Sequence, residues 1–210
     1  MLQFLFALSA ALLAQSYPAP YPRESAKKVL ANDRVVAWDV TWPKGQPTAM
    51  HEHALDQLSV TLRGGTVRVS KLGGPVAVNQ STVGSVAFTP HGTVHMEEGL
   101  SDVPQHKIML ELQPSTSPPM TAVPRDGAVK FLDNDRVSVW DFTWKPGQKM
   151  PRRADPFDSV TVFLEGGVLR SGTEEIQRIA GQVIYSSRRA EPHSEEAAEG
   201  TPRAVIVELK

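Results

Sequence analysis

Residues 30–46 read LANDRVVAWDVTWPKGQ, and residues 132–148 read LDNDRVSVWDFTWKPGQ. The second stretch lies 102 residues beyond the first and needs no gap, so Asn32, Asp33, Arg34, Trp38, Asp39, Trp42 and Gly45 fall over Asn134, Asp135, Arg136, Trp140, Asp141, Trp144 and Gly147. The register continues with DQLSVTLRGG (56–65) over DSVTVFLEGG (158–167). The copies also end alike, KIMLEL (107–112) over AVIVEL (204–209). Similarity of this length marks a duplicated unit. Within a copy, short segments are punctuated by Gly, Pro and Asn/Asp, the pattern of an all-β sandwich or barrel. Val36, Trp38, Val40 and Trp42 alternate with Ala37, Asp39 and Thr41, which is the period of a strand. Helical periodicity of ten or more residues is absent beyond the N-terminal segment.

A chain of 210 residues therefore divides into two units near 100 residues each, an ordinary domain size. The expected organisation is a signal peptide over residues 1–16, a Pro-rich lead over 17–25, a first domain over 26–113, a linker over 114–126 and a second domain over 127–210. The segment MLQFLFALSAALLA is uncharged, too short to span a bilayer, and suits the apolar region of a signal peptide. Export to the periplasm or the extracellular space is expected, with no stable membrane anchor after cleavage. The linker PSTSPPMTAVP (114–124) is proline- and Ser/Thr-rich, hence extended. A net charge of -1 gives no electrostatic footprint for nucleic acid. The absence of cysteine excludes disulfides, thiolate ligands and cysteine nucleophiles. Phosphate-loop, serine-hydrolase and H-E-x-x-H motifs are also missing. The Gly-Gly pairs at 64–65, 73–74 and 166–167 read as hairpin turns rather than phosphate loops.

The chemistry concentrates in the first copy. His51 and His53 are two apart, so on a strand both imidazoles point the same way. A third histidine from another strand, His95, can close a site of imidazole nitrogens for a metal ion. The spacings Gly45-x5-His51-x-His53-x3-Gln57-x6-Gly64 and Gly84-x5-Pro90-x-Gly92-x2-His95 resemble the two motifs of the cupin superfamily. That resemblance covers nearly the whole chain after the lead. It implies two tandem β-barrels of the jelly-roll (double-stranded β-helix) type, a bicupin, with His51, His53 and His95 as metal ligands. Cupins usually supply a glutamate shortly after the second histidine, and here Gln57 and Leu58 occupy those positions. Gln57 shares the parity of the histidines, and its amide oxygen can complete the shell of a divalent ion. Glu97, with the parity of His95, is a weaker candidate, and Gly99 replaces an asparagine that often closes the second motif. Such a site accepts Fe, Mn, Ni or Zn, and the sequence does not choose among them. Three neutral imidazoles and an amide leave the +2 charge uncompensated, which favours an anionic partner and weaker metal retention.

The second copy departs from the first where the chemistry sits. His51, His53, Gln57 and Thr61 become Arg153, Asp155, Ser159 and Phe163, and His193 falls one residue off the counterpart of His95. No metal site is expected there. Ser59, Thr61 and Arg63 are substrate-binding candidates on the inner face of the first barrel, Arg63 equally fitting a solvated rim turn. Features kept in both copies, namely the tryptophans, the Asn-Asp-Arg runs, Glu111/Glu208 and Asp56/Asp158, read as structural, with Asp56 expected in a turn or strand-pairing hydrogen bond. Two readings of function follow. One is a metal-dependent enzyme, dioxygenase- or decarboxylase-like, acting on a small, anionic organic molecule. The other is a non-catalytic module that binds a small ligand or an envelope partner. The fused barrels suit either a monomer or a homodimer.

Overall fold

A computed structural model describes residues 16–115, 121, 123–148 and 150–210. The expected signal peptide, apart from Ser16, lies outside these residues, as does part of the expected linker. The first copy forms β1 (Ala26–Ala31), β2 (Val35–Trp42), β3 (His51–Glu52), β4 (Asp56–Arg63), β5 (Gly65–Lys71), β6 (Val76–Ser81), β7 (Val86–Thr89), β8 (Val94–Gly99) and β9 (Gln105–Leu112). The second forms β10 (Val129–Asp133), β11 (Val137–Thr143), β12 (Arg153–Asp155), β13 (Asp158–Ser171), β14 (Glu174–Arg178), β15 (Val183–Ser186), β16 (Arg189–His193) and β17 (Glu196–Leu209). Among the described residues there is no helix, and so none long and apolar enough to cross a membrane.

Each copy is a jelly roll. In the first, the sheet β1-β2-β9-β4-β7 faces the sheet β3-β8-β5-β6. In the second, β10-β11-β17-β13-β14 makes the large sheet, β15 pairs with β13, and β12-β16 stands apart. All strand pairings are antiparallel.

The large sheets are buried on both faces, which is why their strands read as nearly continuous apolar runs. Even-numbered Trp38, Val40 and Trp42 of β2 join Tyr21, Val67 and Met109 in the interior of the first barrel. Odd-numbered Val35 and Ala37 belong instead to a cluster with Leu58, Val60, Ile108, Leu110 and Leu112. That cluster also contains Val137, Val139, Val160, Val162, Val205, Val207 and Leu209 of the second copy. The two barrels are therefore packed sheet against sheet, back to back. Each fully buried Val, Leu or Ile contributes about 1.5–3 kcal/mol, so this seam is a main source of stability.

The repeated polar residues pin the seam. Arg34 Nη1 lies 3.4 Å from Asp158 Oδ2, and its Nη2 donates to the Leu209 and Lys210 carbonyls. Arg136 makes the reciprocal contacts, to Asp56 and to the Leu112 and Gln113 carbonyls. Asn32 Oδ1 accepts from the backbone N–H groups of Arg34 and Val35, and Asn134 does the same for Arg136 and Val137. These turns aim each arginine at the other copy. Asp56 does bond to a turn, accepting from His91 N–H between β7 and β8, and it is also an ion-pair partner across the seam, which the sequence did not suggest.

Two glycine readings also change. Gly73, at φ +64, does sit in the β5–β6 hairpin. Gly64 and Gly166 do not turn a hairpin. Gly64 stands where the chain passes from β4 to β5 in the other sheet and Gly166 lies within β13, and a Cβ on either would come within 2.6 Å of Ser81 O or 2.7 Å of Arg178 O. Glycine is required there by close backbone approach.

Candidate metal centre

The two motif segments are zipped together by backbone hydrogen bonds. β3 pairs with β8, setting His51 opposite His95. His53 N–H donates to Thr93 O, and Gly92 N–H, at φ +75, donates to His53 O. The strand period turns His51 and His53 inward together, and β8 supplies His95 from the facing position. All three rings are buried, at 4%, 3% and 6% exposure. Their centroids stand 4.7–5.2 Å apart, and one nitrogen from each lies within 4.8 Å of the others.

The electrostatics suit a cation. Burial, with the neighbouring His95 and His51, pushes His53 down to about 3. Burial likewise lowers His51 and His95, partly opposed by the charge of Glu97. At neutral pH the rings are uncharged and their lone pairs available. His51 Nδ1 is 2.9 Å from the Ala49 carbonyl, to which it donates, and this leaves Nε2 as the free ligand atom. His53 Nε2 and His95 Nε2 are 2.9 Å apart. Two nitrogens bound at right angles to one ion at about 2.1 Å are separated by about 3.0 Å, so the observed spacing fits adjacent metal ligands.

Gln57 on β4 is 2% exposed and lines a cavity of 200 Å³ that also reaches His95. Among the described residues its Nε2 has no hydrogen-bond partner. Ser59 lines the same cavity. Thr61 is buried, its hydroxyl unpartnered among the described residues. Arg63 does not face inward. The β4–β9 register shifts between Thr61 and Arg63, and the exposed guanidinium donates from Nε to Pro104 O at 2.8 Å, on the rim.

Three further residues shape the site. Glu97 accepts from Trp42 Nε1 at 3.1 Å, and its charge raises the basicity of His51, His95 and Lys107. The negative charge that the ligand set lacks thus stands beside it. Lys107 lines the cavity with its amine 5.8 Å from the centre of the Trp42 ring, and burial makes it less basic than usual. Its counterpart in the repeat is Ala204, a difference legible in the sequence. Tyr21 comes from the Pro-rich lead. That lead is tied down by the bond from Glu52 N–H to Pro18 O, and Tyr21 stacks on Trp38 with centroids 4.9 Å apart. Burial, then Glu97, raises its phenol far above the ordinary range. It has no equivalent in the second copy, so the repeat could not reveal it.

In the second copy Arg153 stands opposite His193, as His51 stands opposite His95. The one-residue offset seen in the sequence is absorbed by the β16–β17 segment, and His193 is the structural counterpart of His95. The histidine triad is replaced there by ion pairs. Asp155 and Glu208 receive Arg125 and Arg153 at 3.3–3.4 Å, and His193 Nε2 lies 3.2 Å from Asp155. Trp140 Nε1 donates to Glu208 as Trp38 Nε1 donates to Glu111. The repeated pairs Trp38/Trp140 and Glu111/Glu208 are thus each other's partners within each copy.

No protein-family model matches the sequence, and no curated protein does. Solved structures do match. AerE from Microcystis aeruginosa superposes with a TM-score of 0.66 at 11% identity, over 93% of this chain and 99% of its own. A cupin 2 conserved barrel domain protein from Leptotrichia buccalis gives 0.58 at 10% identity, over 88% of each chain. Bacillus subtilis oxalate decarboxylase, described with Mn(II) centres, gives 0.61 at 12% identity, over 85% of this chain and 69% of its own. At these identities the likeness speaks for the fold. The chain has the cupin fold, in two tandem copies of which the first carries the histidine triad.

Proposed function

We propose that the first barrel holds a divalent metal ion on His51, His53 and His95, with Gln57 beside it, and that a small anionic organic molecule enters the adjoining cavity. The observation that carries this reading is the convergence of three buried imidazoles, one of which, His95, lines a cavity that Lys107 lines as well. The ion would supply a Lewis acid with open positions for the molecule. The protein's own groups would do the rest: Lys107 draws a carboxylate inward, Ser59 offers a hydroxyl, and Glu97 balances charge. The reaction class proposed is decarboxylase- or dioxygenase-like, and the likeness in fold to oxalate decarboxylase supports it at that level. We propose that the protein works after export, directed by residues 1–16.

The test is elemental analysis of untagged protein beside the double variant His51→Ala/His53→Ala. Near-stoichiometric metal is expected in the parent and none in the variant. Oxygen uptake and carbon dioxide release with small carboxylates then assay the reaction. A parent that carries no metal and takes up neither Fe(II), Mn(II), Ni(II) nor Zn(II) would overturn the proposal.

A further inference from the structure

The second barrel, which holds no histidine triad, is not filled. It encloses a cavity of 270 Å³. Phe163, Leu169, Ile184 and Ile206 are the apolar part of a lining that is otherwise largely polar. Ser159 and Thr161, the counterparts of Gln57 and Ser59, also line it.

The polar atoms left over in this copy share one character. Among the described residues, its buried side-chain atoms without a hydrogen-bond partner are Arg125 Nε, Arg153 Nη1, Arg178 Nε and His193 Nδ1. Every one is a nitrogen, and the three arginine atoms can only donate. Arg125, Arg178 and His193 line the cavity. Buried donors are seldom left unsatisfied, because each forfeits its bond to water. In the first copy, by contrast, the orphaned atoms are of both kinds, Gln57 Nε2, Thr61 Oγ1 and Gln105 Oε1.

Arg178 is the best placed of them. Its guanidinium lies over the Phe163 ring, 5.6 Å from the ring centre, and its Nε has no partner among the described residues. The Nε edge of an arginine pairs bidentately with an oxyanion. His193 lies in the same lining, its Nε2 3.2 Å from Asp155 and its Nδ1 unpartnered among the described residues. The acids of the lining do not cancel this. Asp155 is already engaged by Arg125, Arg153 and His193, and Glu174 is exposed. Glu195, half-buried, is the one acidic group a ligand must lie beside. Arg189 adds a further cation.

We infer that the second barrel is a binding site for a small carboxylate, held by Arg178 beside the apolar part of the lining, and that it binds without a metal. The site is independent of the metal centre in the first barrel. The experiment is isothermal titration of the full, metal-free chain with acetate, oxalate, succinate and benzoate, and with benzamide and inorganic phosphate as controls. Saturable one-site binding is expected for at least one carboxylate, and none for benzamide. Arg178→Gln should weaken binding at least tenfold, and Glu195→Gln should tighten it several-fold. Ser159→Met, which fills the cavity without touching a charge, should also abolish binding while Arg178 stays intact. Thermal unfolding of each variant confirms that it is folded. His51→Ala/His53→Ala should bind as the parent does. The inference is overturned if no carboxylate binds, if only phosphate binds, if folded Arg178→Gln binds normally, or if the double histidine variant loses binding.

Discussion

At the residue scale the position on which the proposed metal's character turns is Gln57. An amide is neutral, and the carboxylate that acts on His51 and His95 is Glu97, which accepts from Trp42. Gln57→Glu adds a carboxylate at a buried position next to the cavity. Metal affinity in competition with a chelator should rise on the order of tenfold. An unchanged affinity would place residue 57 outside the ion's reach. Lys107→Met tests the other half of the site. Losing a partly desolvated cation costs a bound carboxylate about 1.5–3 kcal/mol, which is roughly tenfold to a hundredfold in KM or Kd. Metal content should stay at the parent level, so the two effects separate. His51 and His53 were legible from spacing, because period 2 puts them on one side, and His95 from the likeness of its Gly/Pro frame to the second cupin motif. Lys107 was legible only as a departure from Ala204. Tyr21 was not, since it reaches the barrel from a lead that has no copy to compare.

At the scale of the element, the strand that carries His95 ends at a position where no side chain fits. A Cβ on Gly99 would stand 2.7 Å from Pro43 O and overlap the Trp42 backbone as well. Gly99 O also accepts from Gly45 N–H, and Lys44 bridges to Gly99. The departure from the asparagine of the cupin pattern therefore follows from how tightly the segment leading to β3 lies on β8. Gly99→Ala should cost about 1–3 kcal/mol in chemical denaturation, as overpacking against backbone does. Because residues 43–50 lead directly to His51, the variant should also retain metal less well than the parent. Full stability in Gly99→Ala would show that β8 has slack the structure does not reveal. In sequence this glycine read only as a missing asparagine, because the opposing carbonyls come from a segment more than fifty residues earlier.

At the scale of the molecule, the repeat announced two barrels but concealed how they meet. Each Asn-Asp-Arg run and each Asp at the head of β4 or β13 is present in both copies, so comparison alone shows two equivalent sets. Their partners are exchanged across the seam, Arg34 with Asp158 and Arg136 with Asp56, and a comparison of copies is blind to such an exchange. Burial opposes ionisation of Asp56, but hydrogen bonds from His91 and the charge of Arg136 outweigh it and hold the carboxyl below its ordinary value. A carboxyl lowered on folding contributes stability that is complete above the unfolded value, about 4, and is lost as pH falls through the folded one. Asp56→Asn should therefore cost about 1–3 kcal/mol near neutral pH, where it leaves Arg136 without its partner. That difference should narrow as the pH drops below about 4, since the parent then loses the same charge. Thermal unfolding of parent and variant across that range reads it directly. A gap that stays constant down to pH 2 would mean the aspartate acts through its shape and its bond to the His91 backbone rather than through the pair. The narrowing gap would instead show that the apolar seam, unaffected by pH, keeps the barrels together while the exchanged arginines set how firmly they register.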